Sequence, residues 1–174
     1  MKFELKHTFD ASIDAVIAGM ADPGFPDFMK ANMKSVSDMK PMDRKENGDR
    51  LEWKIRVVPV PIIKKIGPKT VPPEILAFVQ ESTLDRAAKR LTFKNVATDA
   101  RVNKHLENGG TFTFRDVGGK TERTISGDLK VVGLPFLLKP LAGIAESLII
   151  GEAKKLLDEE AQAFSLFLKS RTST

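Results

Sequence analysis

Residues 141–169 carry the longest helical pattern in this chain, and that pattern comes last. Ile144, Leu148, Ile149, Leu156, Ala163, Phe164 and Phe167 recur at spacings of mostly three, four or seven, while Lys154, Lys155, Asp158 and Glu159 fill much of the opposite side. Pro135 and Pro140 keep regular helix from starting much before Leu141. About 28 residues at about 1.5 Å each give roughly 42 Å, against about 33 Å for a ten-residue strand. An amphipathic rod of that length, closing a run of antiparallel strands, has to lay its apolar stripe across the sheet. The expected fold is therefore α+β: a curved antiparallel sheet of about seven strands gripping a long C-terminal helix, with two short helices after the first strand.

The strands are read from period-two alternation. Phe3, Leu5, His7 and Phe9 alternate with polar residues. Ser12 is placed to cap a first short helix through Ile13, Val16, Ile17 and Met20, and Pro26 opens a second around Phe28, Met29 and Met33. A weak strand over residues 36–44 turns at Asn47-Gly48 into a clear one, where Leu51, Trp53, Ile55 and Val57 alternate with charged neighbours. Five prolines between residues 59 and 73 exclude a central strand there and suggest a flap, with Ile62, Ile63 and Ile66 as a gate. Residues 74–84 and 90–96 form the next hairpin, and 100–106 is ambiguous. Asn108-Gly109-Gly110 is expected to turn, Phe112 and Phe114 follow in a strand, and Ile125, Gly127, Leu129 and Val131 alternate in the last.

Composition narrows the function classes. The 174 residues contain no Pro/Gly/Ser-rich linker, so a single domain over 1–174 is expected. Absence of cysteine removes disulfides and thiol chemistry. The N-terminus has no apolar stretch of signal-peptide type, which makes the cytoplasm the default location. The 28 basic and 23 acidic residues are interleaved along the chain, so no nucleic-acid-binding face is expected. Transient contact of residues 133–151 with a membrane surface stays open. Lys139, Glu146 and two prolines in that stretch argue against a span.

Catalytic material is sparse. His7 and His105 lie far apart in the chain without metal-ligand spacing around either. His7 reads as a structural residue and His105 as a solvated one. No metal or cofactor is expected. Gly119-Lys120-Thr121 resembles the end of a phosphate loop, but Phe114 stands where its first glycine belongs. There is no tyrosine to act as a buried acid. What remains is an apolar, aromatic set with inward parity: Trp53, Ile55, Val57, Phe78, Phe93, Phe112 and Phe114, joined by Gln80 and Asn95. Ile144, Leu148, Gly151 and Glu152 are expected to form the facing helix wall. The small residues Gly143, Ala145, Gly151 and Ala153 leave room along it. Glu152 is either an acid facing the gap or a stripe-edge partner of Lys155 or Lys154, the latter being the simpler reading.

Three stretches carry a family resemblance: Phe9-Asp10-Ala11-Ser12-Ile13-Asp14-Ala15-Val16, Ala21-Asp22-Pro23, and Gly127-Asp128-Leu129-Lys130-Val131-Val132-Gly133-Leu134-Pro135 leading to Gly143 and Glu146. With the element order, they make the chain resemble a START-like domain of the Bet v 1 superfamily (SRPBCC, the helix-grip fold), most similar to an uncharacterised bacterial branch. The family includes lipid and sterol carriers, polyketide aromatases and cyclases, hormone receptors and chaperone regulators. The resemblance implies a cavity for a hydrophobic ligand between sheet and helix, and no particular reaction. Binding or transfer of a hydrophobic small molecule or lipid is the expected function. The alternatives are a cyclase- or hydratase-type enzyme using Glu152 beside Gln80 or Asn95, and a protein-interaction module with a filled core.

Overall fold

Alternation builds β1 (Lys2–Phe9), where Phe3, Leu5, His7 and Phe9 turn inward and the residues between them face solvent. The computed structural model describes residues 1–61, 65–66, 69–70, 72–133 and 142–172. Ser12 caps α1 (Ile13–Met20) by accepting the Ala15 amide at 3.2 Å, and Pro26 sits in the first turn of α2 (Phe25–Asn32). Next come β2 (Val36–Asn47), β3 (Arg50–Pro59) and a two-stranded ribbon, β4 (Lys65–Ile66) with β5 (Lys69–Thr70). A 3-10 turn at Pro73–Leu76 leads into β6 (Phe78–Asp85) and β7 (Arg90–Ala97). One helical turn, α3 (Ala100–Asn103), precedes β8 (Leu106–Asp116), β9 (Thr121–Val131) and the long α4 (Ala142–Thr172).

Seven strands form one antiparallel sheet in the order β1-β9-β8-β7-β6-β3-β2. The chain leaves β1 at one edge and enters β2 at the other, so α1 and α2 carry it across the inner face. Edge strand β2 tolerates Pro41 because its register slips between Pro41 and Asp43, and Pro41 needs no amide there.

Strand register lines the inward residues up in rows across the sheet. Leu51, Leu84, Leu91, Phe112 and Ile125 are successive partners from β3 to β9, and all are buried. Val16, Ile17 and Met20 of α1 and Phe164, Phe167 and Leu168 of α4 share their core. The next row is Trp53, Ser82, Phe93, Gly110 and Gly127; the row beyond it is Ile55, Gln80, Asn95, Asn108 and Leu129.

Several expectations change. Asn108-Gly109-Gly110 does not turn, and β8 runs straight through it. The glycines serve close approach instead: a Cβ on Gly110 would run into the Ser126 carbonyl, and one on Gly127 into the Phe3 ring. The strand expected from residue 74 begins at Phe78, because Pro72 and Pro73 set up the 3-10 turn first. The strand over 36–44 extends to Asn47. His105 is half-buried, its Nδ1 3.0 Å from the Val132 carbonyl, where solvation was expected. Ile62 and Ile63 lie outside the described residues; Ile66 falls in the β4–β5 ribbon.

The largest correction concerns the phase of α4. Ile144 and Leu148 are 61% and 68% exposed, and Gly151 is exposed as well. They point away from the sheet. Inward-facing residues are Glu146, Ile149, Ile150, Ala153, Leu156 and Leu157, all half-buried or buried. Leu148-Ile149-Ile150 is apolar at all three positions, and one residue along a helix rotates the face by about 100°. Among the described residues no helix is long and apolar enough to cross a membrane.

Gly110→Ala forces β9 away from β8, which disfavours the fold by about 1–3 kcal/mol. At about 2–4 °C per kcal/mol for a chain of this size, a calorimetric scan should show melting lowered by several degrees.

Candidate functional site

α4 is pinned at three levels along its length. Near its C-terminus Phe164 meets Phe9 and Phe25 edge-on, with ring centroids 5.1 and 5.3 Å apart. At mid-helix Glu160 holds Arg123 of β9, and Glu159 receives the Lys34 amide at 2.6 Å, the Ser35 amide at 3.1 Å and the Ser35 hydroxyl. Nearer its N-terminus Glu146 accepts the Val131 amide at 2.9 Å and Ile150 is buried. Within the sheet, the helix backbone makes its close approaches to β9 and β1.

That placement leaves the inner face of the middle strands partly uncovered by the described residues. Trp53, Phe78, Gln80, Asn95, Leu106 and Asn108 have inward parity and are only half-buried. Leu156 of α4 packs with Trp53 and Phe78 against one buried cluster. The result is an inward-facing patch with aromatic ends and a polar middle. Gln80, Asn95 and Asn108 are direct neighbours across β6, β7 and β8. Asn95 Oδ1 is buried without a hydrogen-bond partner among the described residues.

The other expected site residues divide. Phe93 is buried beside Phe112 with ring centroids 5.2 Å apart, and Phe112 and Phe114 belong to the filled core below the patch. Ile55 and Val57 are buried under α2 and the Ala163 turn of α4. Glu152 is 42% exposed and paired with Lys155 at 2.9 Å, which is the stripe-edge arrangement. Asn108 and Leu106 were missed because Asn-Gly-Gly reads as a turn. Counting back in twos from Phe114 and Phe112 would have placed both on the inner face.

A second cluster lies deeper. Arg123 has no exposed surface, and its guanidinium meets Glu160 through both Nη atoms. The rings of Phe9 and Phe112 flank it at 5.0 and 4.9 Å from their centroids. Arg123 Nη2 donates to His7 Nδ1 at 3.0 Å, which assigns the His7 proton to Nε2, 2.9 Å from Asp158. The network ties β1 and β9 to α4. Arg123 pairs with Phe114, six residues along β8 from Asn108 and so about 20 Å from the polar row. His7 thus belongs to this ion-pair network and not to the polar row.

No protein-family model matches the sequence, and no curated protein matches it. Solved structures do match the architecture. A protein of Thermus thermophilus superposes with a TM-score of 0.68 at 14% identity, over 98% of this chain and 99% of its own. The Zhui aromatase/cyclase from Streptomyces sp. R1128 gives 0.66 at 12% identity, over 99% and 95%. Norcoclaurine synthase from Thalictrum flavum, in complex with dopamine and hydroxybenzaldehyde, gives 0.65 at 14% identity, over 98% and 87%. The chain has the helix-grip fold of the Bet v 1-like proteins. In a helix grip the inner face of the sheet meets the long helix, and here that is the side on which the half-buried patch lies. A depression of about 400 Å³ lies along β2, β3, β6 and β7; Trp53, Ser82 and Phe93 contribute to its lining, but charged residues such as Asp43, Glu52 and Lys94 line it too, and Lys54 and Glu81 pair there at 2.6 Å. Charge pairing of that kind suits a solvated surface better than an apolar ligand. Among the described residues no cluster of His, Asp and Glu is placed to hold a metal ion.

Removing one member of the buried pair strands the other. Arg123→Met should cost about 3–5 kcal/mol in urea unfolding, and adding Glu160→Met should recover most of it. Glu159 gives a pH signature. Burial opposes its charge, yet the Ser35 hydroxyl and the Lys34 and Ser35 amides hold its carboxyl below the usual range. Its contribution is fully present above the unfolded value of about 4.3 and fades as pH falls through the lower folded value. The stability difference between wild type and Glu159→Gln, measured by urea midpoints, should therefore shrink as pH drops below about 5.

Proposed function

We propose that this protein binds a hydrophobic small molecule or lipid in the cleft between the middle strands and the N-terminal half of α4, and carries it without altering it. One observation carries the reading: Trp53, Phe78 and Leu106 face inward, yet the described residues leave them half-buried. Apolar surface held open on the concave side of a grip lowers its free energy when a ligand covers it. Covering about 200 Å² of ligand would contribute about 5 kcal/mol before ordering costs. The neighbouring structures support a small-molecule site on this fold, since one is a complex with dopamine and hydroxybenzaldehyde.

The aromatase/cyclase neighbour raises a catalytic alternative. That alternative requires an acid or base directed into the cleft. Glu152 was its candidate, and Glu152 is bound to Lys155 at the exposed edge of α4. The carrier reading therefore stands ahead of it.

N-phenyl-1-naphthylamine, a neutral dye whose emission rises in apolar surroundings, tests the location. Gln80→Trp fills the cleft and should weaken dye binding at least tenfold, read from a fluorescence titration. Leu148→Trp, on the outer face of α4, should leave the titration unchanged. The reverse pattern would place binding outside the cleft.

A further inference from the structure

The polar middle of the cleft has no partner within the protein's described residues. Gln80, Asn95 and Asn108 stand side by side on β6, β7 and β8, facing inward and half-buried. Among the described residues none of the three carboxamides has a side-chain hydrogen bond, and Asn95 Oδ1 is shut off from solvent as well. A buried amide oxygen left without a donor is costly, and most such groups in folded proteins find one. A core built only for stability would place leucine or valine at these positions, as the row Leu51, Leu84, Leu91, Phe112 and Ile125 does two steps away.

The surroundings decide what would satisfy the row. On one side lie Ser82, Phe93 and Gly110, and on the other Phe78, Ala97 and Leu106. None of these carries a charge. Each carboxamide offers an acceptor oxygen and a donor nitrogen. Such a site matches a neutral group that both donates and accepts, a hydroxyl above all. It provides no cation for a carboxylate, which would have to shed its water without a counter-charge.

Resting on the binding reading above, we infer that the Gln80–Asn95–Asn108 row selects a neutral, largely apolar ligand carrying a hydroxyl or N–H group part-way along its body, and disfavours fatty acids and other carboxylates. The ligand's donor reaches Asn95 Oδ1 once its carboxamide rotates towards the cleft, while Asn108 and Gln80 hold its acceptor. Rings or chains on either side of that group lie against Trp53 and Phe78.

Three probes of one shape separate the contributions: naphthalene, 2-naphthol and 2-naphthoate at pH 7, each titrated as a competitor of N-phenyl-1-naphthylamine. One recovered hydrogen bond between neutral groups corresponds to a preference of about five- to tenfold for 2-naphthol over naphthalene. 2-Naphthoate should bind more weakly than either. Asn95→Leu should abolish the preference and retain naphthalene binding, with a thermal melt confirming the fold; Asn108→Leu is the second variant. Equal binding of naphthol and naphthalene while the dye still binds would overturn the role of the row and leave the cleft standing. That role is likewise overturned if naphthoate matches naphthol, or if both leucine variants keep the preference. Failure of the dye and all three probes to bind would overturn the carrier reading, and this inference with it.

Discussion

A guanidinium closed away from water between two phenyl rings requires a carboxylate, and α4 supplies it. Arg123 lies between Phe9 and Phe112 and reaches Glu160 with both Nη atoms, while His7 extends the contact to Asp158. The pair does not need to stabilise the fold more than a hydrophobic replacement would; buried ion pairs often do not. Its consequence is geometric. A charge that can be satisfied from one direction only admits one rotation and one height of the helix on the sheet. Glu159 on Ser35 and Glu146 on Val131 fix the same rotation at two further levels.

Pinned over β9 and β1, the N-terminal half of the helix leaves the inner face of β6, β7 and β8 partly open. A sheet of seven strands is wider than one helix, and the remaining inner surface is divided unequally. At one end α1 and the phenylalanines of α4 complete a dry core over the leucine row. At the other end Trp53, Phe78 and Leu106 remain half-buried around three carboxamides. The cleft is thus a by-product of where the ion pair holds the rod, and its chemistry comes from the residues that register places beneath it.

Register was legible where alternation was strict. β1, β3 and β9 could be read in period two, as could the inward parity of Trp53, Phe78, Gln80, Phe93 and Asn95. It failed at Asn108-Gly109-Gly110, where the local preference for a turn lost to two neighbouring strands that needed close backbone approach. The error concealed Asn108, and with it the continuity of the polar row. Reading α4 failed differently. Its existence and length were plain, but Leu148-Ile149-Ile150 offers apolar side chains over most of a turn, so hydrophobicity could not choose a face.

By itself the sequence determined the order of the main strands and helices, because periodicity and turn residues are local properties that each segment carries within it. It also determined that the inner face would be aromatic with polar residues among the rings. Only the tertiary structure decided which flank of α4 meets the sheet, that Ile144 and Leu148 face solvent, and that Gln80, Asn95 and Asn108 share one row. Those outcomes depend on pairings between residues far apart in the chain, such as Arg123 with Glu160, whose free energy exists only once the two are brought together.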